Sequence, residues 1–404
     1  MGKFIEIAFS EICDFENGDR GKNYPSRSAY IDIGIPFFSA GNISDNKINK
    51  SSLNYISKER FDLLGSGKVR KGDILFCLRG SLGKFAEIED DIDGGIASSL
   101  VIIRPSDKVN LGFLKLFLES HLCSELIKKY DNGTAQPNLS AASLKKFKIP
   151  LPPLPEQQRI VAKLDGLFAK IDKAISLLEA NILHTQALMG SVLDEEFGRL
   201  EETSKVVSIS EIADVKGGKR LPKGQKLLEF KTDYPYIRVT DFSENGTIEI
   251  DKLKFISKEI HEQISRYIIT NDDLYISIAG TIGKTGIIPK QLNGANLTEN
   301  AARLVYKDKS TIDNAFVYYY TKSDKFKRFV EDSTKQVAQP KLALTRLKQI
   351  KLALPSLKKQ QKVVEKFKHA EERLIALEET QTEKLNHLKA LKSSLLDQAF
   401  KGEL

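Results

Sequence analysis

The chain has 404 residues, 41% of them hydrophobic, enough for two to three ordinary globular domains. Its formal charge of +8 suits a polyanionic partner, while three cysteines (Cys13, Cys77, Cys123) without a C-x-x-C pair argue against a disulfide framework or a zinc site. No apolar run is long enough to span a membrane and no signal peptide opens the chain, so a cytoplasmic protein is expected.

In chain order, the first distinctive stretch is a loop at Asn17–Asn23, where Gly18 is followed by Arg20, Lys22 and Asn23. Strand-and-turn patterning then covers Ile31–Ser44, and a β-rich run at Asp73–Leu78 ends in the glycine turn Arg79–Lys84. The period over Leu111–Tyr130 predicts a helix, with Phe113, Leu116 and Phe117 read as core rather than as base-stacking platforms. Next comes I-P-L-P-P-L-P-E-Q-Q-R-I-V-A-K-L, a proline-fixed extended approach to some forty residues without internal proline. Glu156 near the start suits the positive end of the helix dipole. Along this helix Ile160, Leu164, Leu167, Ile171, Ala174, Leu178, Leu188 and Val192 form an apolar seam by threes and fours, interrupted at Asn181 and Thr185.

After a polar boundary at Glu201–Lys205 the whole pattern repeats. At an offset of 200, Gly18 and Arg20 fall on Gly218 and Arg220, and Gly80, Gly83 and Lys84 fall on Gly280, Gly283 and Lys284. Strand-and-turn patterning recurs at Asp233–Phe242, the β-rich run at Asp273–Ile278, and the helix at Asp313–Val330. A three-residue insertion then raises the offset to 203, so that Ala338-Gln339-Pro340 matches Ala135-Gln136-Pro137 and Gln360-Gln361 matches Gln157-Gln158. The second seam reads Val363, Phe367, Ala370, Leu374, Leu377, Leu388, Leu391 and Leu395, interrupted at Gln381 and Lys384. Lys358 and Lys359 make its helix start weaker than the first. Two such seams in one frame predict an intramolecular helix pair, each helix roughly 60 Å long. The organisation is therefore globule, helix, globule, helix: residues 1–150, 151–200, 201–353 and 354–404.

Candidate chemistry is sparse. Ala279–Thr285 approaches a P-loop, but Ile278 stands where the first glycine must be, and the first-copy turn has Phe85 after its lysine. The histidines form no metal-spaced cluster, and neither a nucleophile elbow nor a dinucleotide fingerprint is present. No N/D-P-P-Y/F motif for holding a flipped base occurs either. What remains is basic loops at equivalent places. Arg20, Lys22, Asn23 and Lys84 in the first copy, and Lys219, Arg220, Lys223 and Lys284 in the second, are the candidate DNA contacts. Glycine in these loops would let the backbone approach a phosphate.

The L-P-P-L-P-E-Q-Q-R-I-V-A-K-L stretch, the G-T-A-Q-P-N-L before it (Gly133–Leu139), the G-G-K-R-L-P-K opening of the second globule and the terminal S-L-L-D-Q-A-F-K-G-E-L resemble the specificity subunit of Type I restriction–modification enzymes. The resemblance spans the chain and departs from the family pattern at Lys358 and Lys359, where proline and glutamate are expected. It implies an α+β protein of two tandem target-recognition domains, separated and followed by long helices that form an antiparallel coiled coil. Each domain would read one half of a bipartite double-stranded DNA site. The helices would set the spacer and dock adenine methyltransferase subunits carrying S-adenosylmethionine, with ATP on a separate motor subunit. The chain itself would be non-catalytic, with no cofactor or metal of its own. Two rival readings are a coiled-coil adaptor without a DNA role and a nucleotide-binding enzyme using the Gly280–Lys284 turn.

Overall fold

A computed structural model describes residues 4–133, 137–334 and 340–404. The matched Ala135-Gln136 and Ala338-Gln339 pairs, and Thr134 of the G-T-A-Q-P-N-L motif, lie outside the described residues. Compactness divides the chain into residues 1–179 with 383–404, and residues 180–382.

Each unit is built on one plan. A four-stranded antiparallel sheet runs Cys13–Asn17, Leu100–Pro105, Ile74–Cys77, Phe85–Glu87 in the first, and Ala213–Gly217, Ala301–Tyr306, Leu274–Ser277, Thr285–Ile287 in the second. A smaller mixed sheet stands beside each, around Ile35–Phe38 and Pro235–Ile237. The central strands are buried on both faces, which is why they read as continuous apolar runs. The helical stretch after the sheet is two helices, not one: Leu111–Glu119 and His121–Tyr130, with Asn314–Lys322 and Asp324–Thr334 as the equivalents. Ser120 and Ser323 take extended backbone at the break and their hydroxyls accept from Cys123 N and Phe326 N, starting a new helix in each case. Phe113, Leu116, Phe117, Phe316, Tyr319 and Tyr320 are all buried, as core rather than platforms.

The first and last strands of each globule pair with each other, Ile5–Ala8 with Lys148–Leu151 and Lys205–Ser208 with Lys351–Leu354. This delivers the chain to the long helices Leu154–Thr203 and Leu357–Lys401, of 50 and 45 residues. At 1.5 Å per residue these are about 75 and 68 Å long, more than the sequence pattern implies. One buried side chain fixes each start. The Gln157 amide donates to the Lys108 and Pro152 carbonyls at 3.1 and 2.8 Å, and its oxygen accepts from Asn110 N at 2.7 Å. Gln360 repeats the set with Thr311 O, Pro355 O and Asp313 N, all at 2.9 Å. The Lys358-Lys359 departure therefore leaves the anchor unchanged.

Within each unit the helices pack antiparallel. In the first, Lys392 and Lys389 pair with Asp172 and Glu179, and Leu396, Ala399 and Phe400 join the globule's core, Phe400 lying 5.1 Å from Phe113. In the second, Lys366 pairs with Glu196, and Leu193, Phe197 and Leu200 enter the core, Phe197 lying 5.3 Å from Phe316. Of the seam residues, Ile160, Leu164, Ile171, Val363 and Phe367 are buried, and Leu167, Leu178, Leu374, Leu388 and Leu395 are half-buried. Leu377 is not in the seam: it is 44% exposed, and the next position, Glu378, takes the step and accepts from Gln186. Leu188 and Leu391 are exposed too, while Asn181 and Lys384 are surface residues beside the half-buried Ile182 and Leu385. Thr185, read as an interruption, is a buried seam residue that bonds the Asn181 carbonyl and Gln381.

Cys13, Cys77 and Cys123 are buried and unpaired. Burial pushes the Cys77 thiol up to about 11 and that of Cys123 to about 12.

Gln157→Ala orphans one buried N–H and two carbonyls, each worth about 1–3 kcal/mol. Urea unfolding should show a loss of about 2 kcal/mol or more, whereas Ala at the neighbouring exposed Gln158 should cost less than about 0.5 kcal/mol.

Candidate nucleic-acid interface

The basic loop of each globule leaves the sheet at a backbone crossing. A Cβ on Gly218 would lie 2.1 Å from the Thr298 carbonyl oxygen and 2.3 Å from that of Leu297, and one on Gly18 would lie 2.7 Å from Ile96 O. These glycines are demanded by the neighbouring strand, not by a phosphate. Beyond the crossing, Lys219 N donates to Leu297 O at 2.8 Å, and the Tyr236 hydroxyl donates to Lys219 O at 2.8 Å. In the first copy Asp19 accepts from Gly21 N and Gly65 N, bonds that hold its carboxyl below the usual range.

The glycine turns join two antiparallel strands rather than a strand to a helix. Gly280 and Gly283 have φ of 76° and 90°, which their tight turn requires. Three amides of this turn are used internally: Ile282 N donates to Gly280 O and Gly283 N to Ser277 O, both at 3.0 Å, and Lys284 N to Ser277 Oγ at 2.8 Å. With those amides engaged, strands on both sides and Ile278 in place of the first glycine, the turn is not the loop-to-helix cradle that the nucleotide-binding reading needs.

The strand end between these features brings loop and turn together. Ile278 N donates to Asn300 O at 2.8 Å while Arg220 Nε donates to Glu299 Oε1 at 2.6 Å; the first copy matches with Leu78 N to Ser99 O at 2.9 Å and Arg20 to Ser98 O at 3.4 Å. Two open clefts of about 600 Å³ flank the second loop. One is walled by Ile278 and Lys341–Leu344, the other by Arg238, Thr240 and Asn300, and both share Arg220 and Glu299. Partial burial would raise the Glu299 carboxyl, but Arg220, the Glu299 N–H and the Thr298 hydroxyl hold it below the usual range.

Six of the eight candidate residues fit a contact surface. Arg20, Lys22, Lys84, Lys219, Arg220 and Lys223 are exposed. Asn23 does not fit, because its amide is committed to Leu63 O at 2.8 Å. Lys284 is paired with Glu244 and only 28% exposed. Sequence reasoning missed Glu299, Asn300, Arg238 and Thr240. Aligning the two copies marks Glu299, which stands where the first copy has Ser98.

The model of the "Type I restriction modification DNA specificity domain" matches this chain twice, over residues 3–179 and 201–387. The chain belongs to that family. Among curated relatives, the specificity subunit of the type I restriction enzyme EcoBI of Escherichia coli is 28% identical over 320 residues, covering 74% of this chain and 66% of that protein. The MjaVIII specificity subunit of Methanocaldococcus jannaschii is 26% identical, covering 81% and 79%. The fold is shared with a chain from a structural study of assembly and conformational transition in a type I restriction–modification system, at TM-score 0.78 and 21% identity, covering 100% of this chain and 98% of that one. The HsdS subunit from Thermoanaerobacter tengcongensis also shares it, at TM-score 0.61 and 20% identity, with 99% and 97% covered. This DNA-specificity role accords with the exposed cations on the loops. No helix among the described residues is long and apolar enough to cross a membrane.

Lys22→Ala and Lys223→Ala should each lower the slope of log affinity against log salt by about 0.9 in the assembled complex, as expected for a lost phosphate contact. Lys284→Ala, already neutralised by Glu244, should leave the slope unchanged; filter binding across a salt series measures both.

Proposed function

We propose that this specificity subunit recognises a split, asymmetric double-stranded DNA site, with residues 1–150 reading one half and residues 201–353 the other. The observation that carries this reading is one scaffold with two different rims. Gly18 and Gly218 make the same backbone crossing, and Ser39 and Arg238 start equivalent turns closed by Asn42 and Asp241. Around it the first copy offers Ser39 and Ser98, where the second offers Arg238 and Glu299. Hydrogen-bonding side chains of different pattern on one frame are what two readers of different bases require.

The long helices set the gap between half-sites and dock adenine methyltransferase subunits, with the chemistry supplied there by S-adenosylmethionine. A motor subunit brings ATP where the system also cleaves. The complex works in the cytoplasm, and the chain itself contributes recognition rather than catalysis.

Mapping methylated adenines in cells that carry the complex tests this directly. Exchanging residues 1–150 for the matching globule of a relative should change one half of the methylated site and leave the other intact; a change in both halves sinks the two-reader arrangement. The ruler is tested separately. Because each unit contains parts of both helices, four residues are added to both, after Glu179 and after Thr382. Each helix then lengthens by about 6 Å, and at about 3.4 Å per base pair the preferred gap should grow by one or two pairs. Methylation of a series of spacers reads the outcome, and an unchanged optimum means the helices do not set the distance.

A further inference from the structure

Arg220 differs from every other cation on the two loops in how it is held. Its Nε donates to Glu299 Oε1 at 2.6 Å, and the other oxygen of that carboxylate accepts from Thr298 Oγ1 at 3.0 Å. Glu299 is thus fixed from its far side, in a position where it is 25% exposed, while the Arg220 side chain is 79% exposed. With Nε engaged, the guanidinium plane is set and both terminal nitrogens project outward as a fork. Among the described residues neither Nη has a hydrogen-bond partner.

Phosphate binding does not explain this arrangement. A carboxylate beside the guanidinium offsets the positive charge that a phosphate contact uses, and Glu299 itself would be repelled by the DNA backbone. Arg20, the repeat mate, has Ser98 in place of Glu299 and leans on a backbone carbonyl, so it keeps its full charge. What an Nε-tethered fork does well is meet two acceptors side by side in one plane. Among base edges in the major groove, guanine presents that pair, N7 and O6. The setting is consistent: Arg220 is shared by both clefts, with the polar Asn300 and Thr240 on one wall and the exposed Lys223 nearby to meet phosphate.

We propose that Arg220 reads a guanine in the half-site recognised by residues 201–353, and that Glu299 is the positioning residue that aims it. This rests on the two-reader assignment above and goes beyond it by naming one residue, one base and one base edge.

The test uses the full chain assembled with its methyltransferase subunits, once methylation mapping has defined the half-sites. Each guanine of the second reader's half-site is replaced in turn by 7-deazaguanine, which lacks the N7 acceptor. The unaltered complex should lose affinity at one such position, and Arg220→Ala should abolish that sensitivity. The variant should also discriminate about 10- to 100-fold less against other base pairs there, leaving the other half-site untouched. Arg220→Lys should not restore discrimination, because an ammonium has no fork, and Glu299→Gln should give an intermediate loss. Arg220 is exposed and Glu299 half-buried, and recovery of the intact complex by gel filtration checks that the variants fold. A salt slope lowered by about 0.9 with no position relaxed would make Arg220 a phosphate contact, and full rescue by lysine would remove the need for a fork aimed by Glu299; either would overturn the proposal. So would a variant with unchanged discrimination, or a half-site without guanine. If exchanging the second globule left both half-sites unchanged, the two-reader assignment would fail instead.

Discussion

The fold depends on one amide side chain used twice. Gln157 and Gln360 sit fully buried in the first turn of the long helices, each tying two backbone carbonyls and one N–H. One of those carbonyls belongs to the proline of the approach, and the other two groups belong to the segment where the sheet hands over to the short helices. Three points on two separate segments fix the helix in position and direction. A longer or charged side chain cannot substitute, since every donor and acceptor in that dry space must be matched. The strand pairs Ile5–Ala8 with Lys148–Leu151, and Lys205–Ser208 with Lys351–Leu354, then place the ends of each globule beside its helix.

Helix ends complete the cores. Phe400 packs on Phe113 and Phe117, and Phe197 on Phe316 and Tyr320. Burying a side chain of this size is worth about 1.5–3 kcal/mol, whereas the exposed pairs Lys389–Glu179 and Lys366–Glu196 are worth about 0–1 each. Antiparallel register within each unit therefore rests on the aromatic ends more than on the ion pairs along the flanks. The middle of the helices is less apolar, with Thr185 on Gln381 and Gln186 on Glu378. The seam is thus polar at mid-length and apolar at its ends, where it merges with a core.

Much of this was legible because the chain states its plan twice. The duplication, the proline approach and the long helices follow from residue spacing alone. The seam was legible only in outline: apolar Leu377 and Leu391 lie one step off the buried stripe, and a drift between 3.5 and 3.6 residues per turn decides which neighbour is covered. The breaks at Ser120 and Ser323 were hidden because serine is unremarkable until its hydroxyl caps the next helix. For the interface, the glycines were visible but their reason was not, since the strand that crowds Gly218 lies far off in sequence. The engagement of Asn23 and Lys284 was hidden for the same cause: their partners Leu63 and Glu244 are each forty residues away, and no local pattern carries that information.

The two copies also show how a duplicated scaffold leaves room for its rim to diverge. Asp73 and Asp273 are buried at the head of equivalent strands and each closes a turn, accepting from Arg70 N and Thr270 N. Each needs a counter-ion, and an arginine of the neighbouring strand supplies it, but not from the same place. The ladders align Ile103 with Leu304, so Arg104 and Arg303 stand two residues apart on one face of that strand. Both nonetheless reach the aspartate at 2.8 Å. Side chains on a strand alternate faces, so a shift of two preserves the face while a shift of one would not. The constraint is thus electrostatic and facial rather than positional. A buried carboxylate must be answered, and several positions can answer it. When the frame is held by such exchangeable solutions, the exposed residues beside the Gly18 and Gly218 crossings carry little of the folding requirement, so they can change sign, size and hydrogen-bonding pattern while the loops stay where they are.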